Sequence, residues 1–249
     1  MSVLHARVGP DTLVCHARLL PVSIGMTLAR MTHPNPLDIL FEDDALLFVN
    51  KPAGIVVQRG YDADEPVLLE LAKAHATERN EELFLMQRLD RGTSGVMFFS
   101  KLSKINANLT KQFERKQIRK TYLALCEGRV VAQLVDAPLL RIGPISFGVR
   151  REGKRALTEI EPLEAGQHGS VARLQLLTGR THQIRVHLAA IGHPLVGDWL
   201  YGSRNAARPM LHAARLELRH PLTGEDVTVS ASTPRDFREE LAERGLASL

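Results

Sequence analysis

From Asp38 onward the apolar residues of this chain come in short runs closed by turn-forming residues, and that punctuation limits the fold more than any other feature. Ile39-Leu40-Phe41 and Leu46-Leu47-Phe48-Val49 flank the acidic stretch Glu42-Asp43-Asp44, which predicts a β-hairpin. Lys51-Pro52-Ala53-Gly54 then breaks the chain before Ile55-Val56-Val57, another run of strand length. Phe84-Leu85-Met86, Val96-Met97-Phe98-Phe99, Lys120 to Cys126, 171–176 and 212–218 repeat the pattern. Helical spacing is confined to Val67, Leu68, Leu71 and Ala74, to Leu102, Ile105, Leu109 and Phe113, to Ile184, Leu188 and Ile191, and to a charged segment at about 234–244. Thr178-Gly179-Arg180-Thr181 reads as the start of the third of these helices, and the last reads as a lid on the domain edge. Short strands with few helices predict an α+β fold (mixed α/β character) whose central sheet is mixed, largely antiparallel and flanked by helices. Residues 1–36 keep no clean period and read as an N-terminal extension, with one domain over 37–249.

No apolar run approaches the ~20 residues of a membrane span, and the N-terminus lacks a signal-like apolar region, so the expected location is the cytoplasm. Cys15 and Cys126 have no metal-ligand spacing and read as plain thiols, Cys126 in a buried strand. The net charge of +4 is modest but uneven. Lys101 to Lys120 holds seven lysines and arginines against the single acid Glu114, on what the spacing makes an amphipathic helix with outward lysines from Lys101 to Lys116. Arg141, Arg150, Arg151, Lys154 and Arg155 form a second cluster. Either alone is an ordinary solvated face; two clusters flanking one site suit a polyanion.

That site is the stretch Gln87-Arg88-Leu89-Asp90-Arg91-Gly92-Thr93-Ser94-Gly95, a carboxylate between two arginines on a loop carried by two strand-like runs. Asp90 is either a structural ion-pair partner of Arg88 or Arg91, or a carboxylate kept ionised for catalysis. His182 and His187 are five residues apart, off the i, i+4 spacing of a zinc-binding helix, so no metal site is expected. Arg180, at a helix N-terminus, suits a phosphate or Asp90. Tyr122 follows the basic helix and is either a core tyrosine or a platform for an unstacked base.

Together, Arg88-Leu89-Asp90-Arg91 with Thr93-Ser94-Gly95, Lys120-x-Tyr122, Thr178 to Leu188, Gly192-His193-Pro194-Leu195-x-Gly197-Asp198 and Leu211-His212-Ala213 resemble the ordered motifs of the RluA-type RNA pseudouridine synthases. Asn50-Lys51-Pro52-Ala53-Gly54 is similar to the opening motif of the same family, and the resemblance runs from about Asp38 to Thr233. It implies that residues 37–249 are the catalytic domain and that Asp90 is the nucleophile that isomerises uridine to pseudouridine on a flipped-out base, with no cofactor. Arg180 would pair with the aspartate, Tyr122 would stack on the base and assist proton transfer, Leu211 would touch the base's other side, and Arg88 would fill the space it leaves. Gln87, Lys120, Arg91, Lys111, Arg115 and Lys116 complete the expected RNA contacts.

The chain departs from the family at Gln87, where a histidine is usual, which is expected to alter RNA-loop recognition or base flipping before chemistry. The extension is also shorter than the small RNA-binding domain some relatives carry, which favours a compact stem-loop of transfer or ribosomal RNA, bound by a monomer with no obligate protein partner. Two other functions compete: a catalytically silent RNA-binding or chaperone protein, for which Asp90 would be superfluous, and a hydrolase, which would want a second acid or a metal cluster.

Overall fold

Leu46 to Val49 are all buried although their side chains alternate between the two faces of a strand, so the sheet is covered on both sides at this point. The computed structural model describes residues 4–6, 37–59 and 66–247. Most of the 1–36 extension, Cys15 included, lies outside them. In chain order the strands are β1 (Leu4–Ala6), β2 (Ile39–Glu42), β3 (Leu46–Lys51), β4 (Phe84–Leu85), β5 (Ser94–Ser100), β6 (Arg119–Cys126), β7 (Gln133–Asp136), β8 (Leu139–Arg141), β9 (Phe147–Val149), β10 (Leu157–Gly166), β11 (Gly169–Leu176), β12 (Leu211–Arg219) and β13 (Asp226–Ser230). The helices are α1 (Leu68–Thr77), α2 (Asn106–Glu114), α3 (Gln183–Ala190) and α4 (Arg235–Glu243).

Among the described residues one sheet runs β1-β7-β10-β11-β6-β12-β5-β3-β2, with β13 on β12 and β4 on β5, while β8 and β9 form a separate hairpin. The pairs are antiparallel except β1 with β7 and β12 with β5, so the fold is the mixed, largely antiparallel α+β arrangement expected. The β2–β3 hairpin forms where the acidic turn predicts it, and Asp43 Oδ1 accepts from the Ala45 and Leu46 amides to close it. At the β5–β12 crossing the two backbones nearly touch. Gly95 has φ +115°, and a Cβ there would lie 2.2 Å from the Ala213 carbonyl oxygen, so only glycine fits.

The period-2 alternation divides the core. Tyr122, Ala124 and Cys126 of β6 face the main cluster, to which α1, α2 and α3 contribute Leu68, Leu109 and Ile184. Leu125 of the other face meets Val171, Phe237 and Leu241 in a second cluster that α4 closes. Phe48, Phe98 and Phe113 stack in sequence, tying α2 to the sheet.

Four local expectations change. Ile55-Val56-Val57 is not a strand; only Val56 makes a bridge, to Val67, and the Ile55 carbonyl accepts from the Lys51 side chain rather than from a neighbouring strand. Helix α1 buries Leu68, Ala72 and Ala76 rather than Leu71 and Ala74. Lys101 does not belong to an outward basic face: its ammonium is buried and paired with Glu42 at 3.1 Å and Glu81 at 2.7 Å, and the helix starts only at Asn106, after a 3-10 turn. Thr178 to Thr181 is a loop rather than a helix start. Gln183 turns its side chain back on it, accepting from Thr178 Oγ1 and the Arg180 amide and donating to the Leu157 carbonyl, so α3 begins at Gln183. No helix among the described residues is long and apolar enough to cross a membrane.

Candidate active site

The loop between β4 and β5 is fixed by its backbone before any side chain acts. The Asp90 carbonyl accepts from Thr93 N at 3.0 Å to close a turn, and the Arg91 carbonyl accepts from Gly54 N at 2.9 Å. Lys51, fully buried, donates to the carbonyls of Pro52, Ile55 and Arg91. Arg208, itself paired with Asp236, donates to the Gly92 carbonyl at 3.0 Å. Lys51, whose pKa burial lowers to about 7, and Arg208 therefore both hold the loop by its backbone carbonyls while Asp90 keeps 28% of its side chain exposed.

The loop forms one wall of a cleft of about 770 Å³, whose other walls come from β6 and the segment leading into α3. Arg185, on the first turns of α3, sets Nη1 3.3 Å from Asp90 Oδ2. Its Nε and Nη2 grip both oxygens of the fully buried Asp198, at 2.7 and 2.9 Å, and its guanidinium stands 5.1 Å from the centre of the Tyr201 ring. The bidentate grip fixes the guanidinium plane, so the remaining nitrogen is held toward Asp90 rather than free to swing. Arg185 binds its proton more tightly than usual; burial opposes this, but the hydrogen bonds and charge of Asp198 and the charge of Asp90 outweigh it.

The structure corrects one assignment here. The arginine set against Asp90 is Arg185 and not Arg180, which is exposed at the cleft mouth with Nε donating to the Arg155 carbonyl at 3.2 Å. The two stand in the same run, and only the late start of α3 separates them. His182, the last residue before α3, places Nε2 3.8 Å from Asp90 Oδ2. Sequence reasoning singled out neither Arg185, Asp198, Tyr201 nor His182 as functional; a helix starting at Gln183 would have turned attention to Arg185.

Tyr122 and Leu211 lie across the cleft on neighbouring strands, Tyr122 opposite Ala213 and Leu211 opposite Ala124. Burial, with the Asp90 charge added, pushes the Tyr122 phenol far up, so it stays protonated. Gln87, Arg88, Arg91, Lys116 and Lys120 also line the cleft, while Lys111 of α2 and Arg115, at its C-terminal cap, are exposed. Lys120 has its pKa lowered by burial, and its ammonium sits 5.5 Å from the centre of the Phe113 ring. Gln87 has a buried Nε2 with no hydrogen-bond partner among the described residues. The remaining histidines of the 182–212 group are structural where buried: His187 bonds Thr158 and the Ala137 carbonyl, and His212 bonds Ser94 and the Ala231 carbonyl.

Residues 45–190 match the family model described as RNA pseudouridylate synthase. An uncharacterized RNA pseudouridine synthase of Bacillus subtilis is 38% identical over 212 residues, covering 81% of this chain and 70% of the relative. The ribosomal large subunit pseudouridine synthase D of Nitrosomonas europaea is 36% identical over 218 residues, covering 81% of this chain and 63% of the relative. Among solved structures, human RNA pseudouridylate synthase domain containing 4 superposes with a TM-score of 0.71 at 25% identity, over 84% of this chain and 94% of that one.

Proposed function

The chain belongs to the RNA pseudouridylate synthase family, and on that premise we propose that it isomerises uridine in RNA with Asp90 as the nucleophile. The observation that carries the assignment is the carboxylate of Asp90 in the wall of a basic cleft, 3.3 Å from an arginine that Asp198 locks in place. A charged nucleophile needs such a fixed partner once the base displaces water from the cleft.

In this reading a uridine leaves its stack and enters the cleft between Asp90 and the Tyr122–Leu211 side. The bond from the ribose to the base nitrogen breaks, the base turns, and a bond forms from the same sugar carbon to ring carbon 5, which gives up its hydrogen as a proton while the freed ring nitrogen takes one up. Substrate and product contain the same atoms, so the conversion calls for no co-reactant. Tyr122, protonated throughout, offers the base an aromatic face and a proton donor. Arg88, exposed beside the cleft, fills the gap the base leaves. Arg91, Lys116, Lys120 and Arg180 meet the phosphates nearest the cleft, and Lys111 and Arg115 those farther along α2. Gln87 reads the RNA loop, which would give its buried amide a partner. Arg180 thus moves from partner of the carboxylate to phosphate contact.

The relatives named for the ribosomal large subunit support ribosomal RNA as the substrate ahead of transfer RNA. The test is tritium release from RNA labelled at uridine carbon 5, with unmodified large-subunit ribosomal RNA fragments and unmodified transfer RNA in separate reactions. Release from the ribosomal fragments that vanishes in Asp90→Asn is expected. Release from transfer RNA alone would reverse the substrate order, and none from either would leave RNA binding without catalysis as the function.

A further inference from the structure

His182, which lines the cleft, combines an unusual backbone with a ring contacted at both nitrogens. It has φ +55°, in the left-handed region that a non-glycine side chain seldom occupies, at the junction where the 178–182 loop enters α3. Its ring stands edge-on between Phe147, with centroids 5.6 Å apart, and Tyr201, at 5.7 Å. The two nitrogens face different groups. Nδ1 is 2.8 Å from the Tyr201 hydroxyl, and that oxygen accepts from the Phe147 amide of β9 at 3.0 Å. Nε2 is 3.8 Å from Asp90 Oδ2.

These contacts suit the tautomer with its proton on Nε2. The Tyr201 oxygen accepts a hydrogen bond from β9, and in the arrangement proposed here its own proton points to Nδ1, which accepts. The proton of the neutral ring is then on Nε2, facing a carboxylate that can only accept. Burial lowers the affinity of the ring for a second proton; Asp90 and Asp198 act against this and Arg185 with it, and the net direction is downward. The Tyr201 phenol keeps its proton, pushed up to about 12 mainly by burial.

We propose that His182 is a positioning residue for the nucleophile: held in the Nε2-protonated tautomer by Tyr201 and β9, it orients the Asp90 carboxylate together with Arg185. Both contacts fall on Oδ2, which leaves Oδ1 to the substrate. The 3.8 Å separation is that of an open cleft and shortens to a hydrogen bond when the base is bound, as contacts around a reacting group commonly do. The inference rests on the function proposed above for Asp90.

Two amide substitutions separate the arms of the ring, since glutamine places its nitrogen near the position of Nε2 and asparagine near that of Nδ1. Backbone preference runs the other way, because asparagine tolerates the left-handed region better than glutamine. Single-turnover tritium release at saturating RNA is measured for wild type, Asp90→Asn, His182→Gln, His182→Asn and Tyr201→Phe across pH, with RNA affinity and thermal melting alongside. His182→Gln is expected to stay within about tenfold of wild type and His182→Asn to lose about a hundredfold, the scale of a reacting group displaced by about 1 Å, with affinity unchanged in both. Tyr201→Phe removes the donor that keeps Nδ1 unprotonated and so raises the pKa of the ring. Because the neutral ring is the working form, the acid limb of the rate then moves to higher pH. A His182→Asn rate equal to or above that of His182→Gln, or an acid limb that stays in place in Tyr201→Phe, would overturn the proposal and reduce His182 to a backbone and packing role. No release from wild type, or undiminished release from Asp90→Asn, would instead overturn the function assigned to Asp90 and this inference with it.

Discussion

Arg185 and Arg180 carry the same charge on the same cleft, yet one is pinned by the buried Asp198 carboxylate while the other lies exposed at the mouth with, among the described residues, a single carbonyl partner for its side chain. The difference teaches where a charge can act. A guanidinium held in a fixed plane, out of water, interacts strongly with the carboxylate beside it and needs no reorganisation during reaction. An exposed one is screened by salt and serves to gather phosphates. In the function proposed, the chemical half of the site is the Asp90–Arg185–Asp198 line, partly exposed at Asp90 and buried behind it, and the binding half is the exposed rim that continues onto α2.

That division can be broken at several points. The largest effect is expected at the proposed nucleophile, where Asp90→Asn should leave no detectable tritium release. Next, Arg185→Ala should reduce the single-turnover rate about 10²–10³-fold, the size of losing one preorganised charge partner. The same substitution strands Asp198 in the interior and should cost about 3–5 kcal/mol of stability, read by denaturant unfolding. Equal losses in Arg180→Ala would erase the distinction between the two arginines. For Arg180→Ala the account instead expects RNA affinity to weaken by about tenfold or less, with the rate at saturating RNA retained and the loss smaller still at high salt. The smallest effect per residue belongs to α2: replacing Lys111, Arg115 and Lys116 together by alanine should weaken binding and flatten the slope of log affinity against log salt by about 2–3, close to one per phosphate contact. An unchanged slope would take α2 off the RNA face.

Where the sequence could be read, local chemistry decided the structure; where it misled, a distant side chain did. The β2–β3 hairpin is specified by its own acidic turn, and β5 and β6 by their own apolar runs, so each lies where the pattern predicts it. The loop that carries Asp90 was legible from its arginines and glycines between two apolar runs, and it lies in the wall of the cleft. The start of α3 was not, since Gln183 reaches back to Thr178 and Leu157 and delays the helix past Arg180. Lys101 looked like surface charge because its partners Glu42 and Glu81 are distant in sequence. The β8–β9 hairpin, which supplies the Phe147 amide to Tyr201, lacks the apolar alternation that would have marked it. The partnership of Arg185 with Asp198 and the contact of His182 with Tyr201 both depend on segments that meet only in the folded chain.

The most direct test of the account holds wild type and Asp90→Asn against the same uridine-labelled ribosomal RNA fragment and reads affinity and tritium release from one sample. The account predicts affinities within about tenfold of one another, the range in which only a transition-state contribution has been removed, and release from wild type alone. Release from Asp90→Asn at the wild-type rate would contradict it, and would move the chemistry of this cleft to another residue.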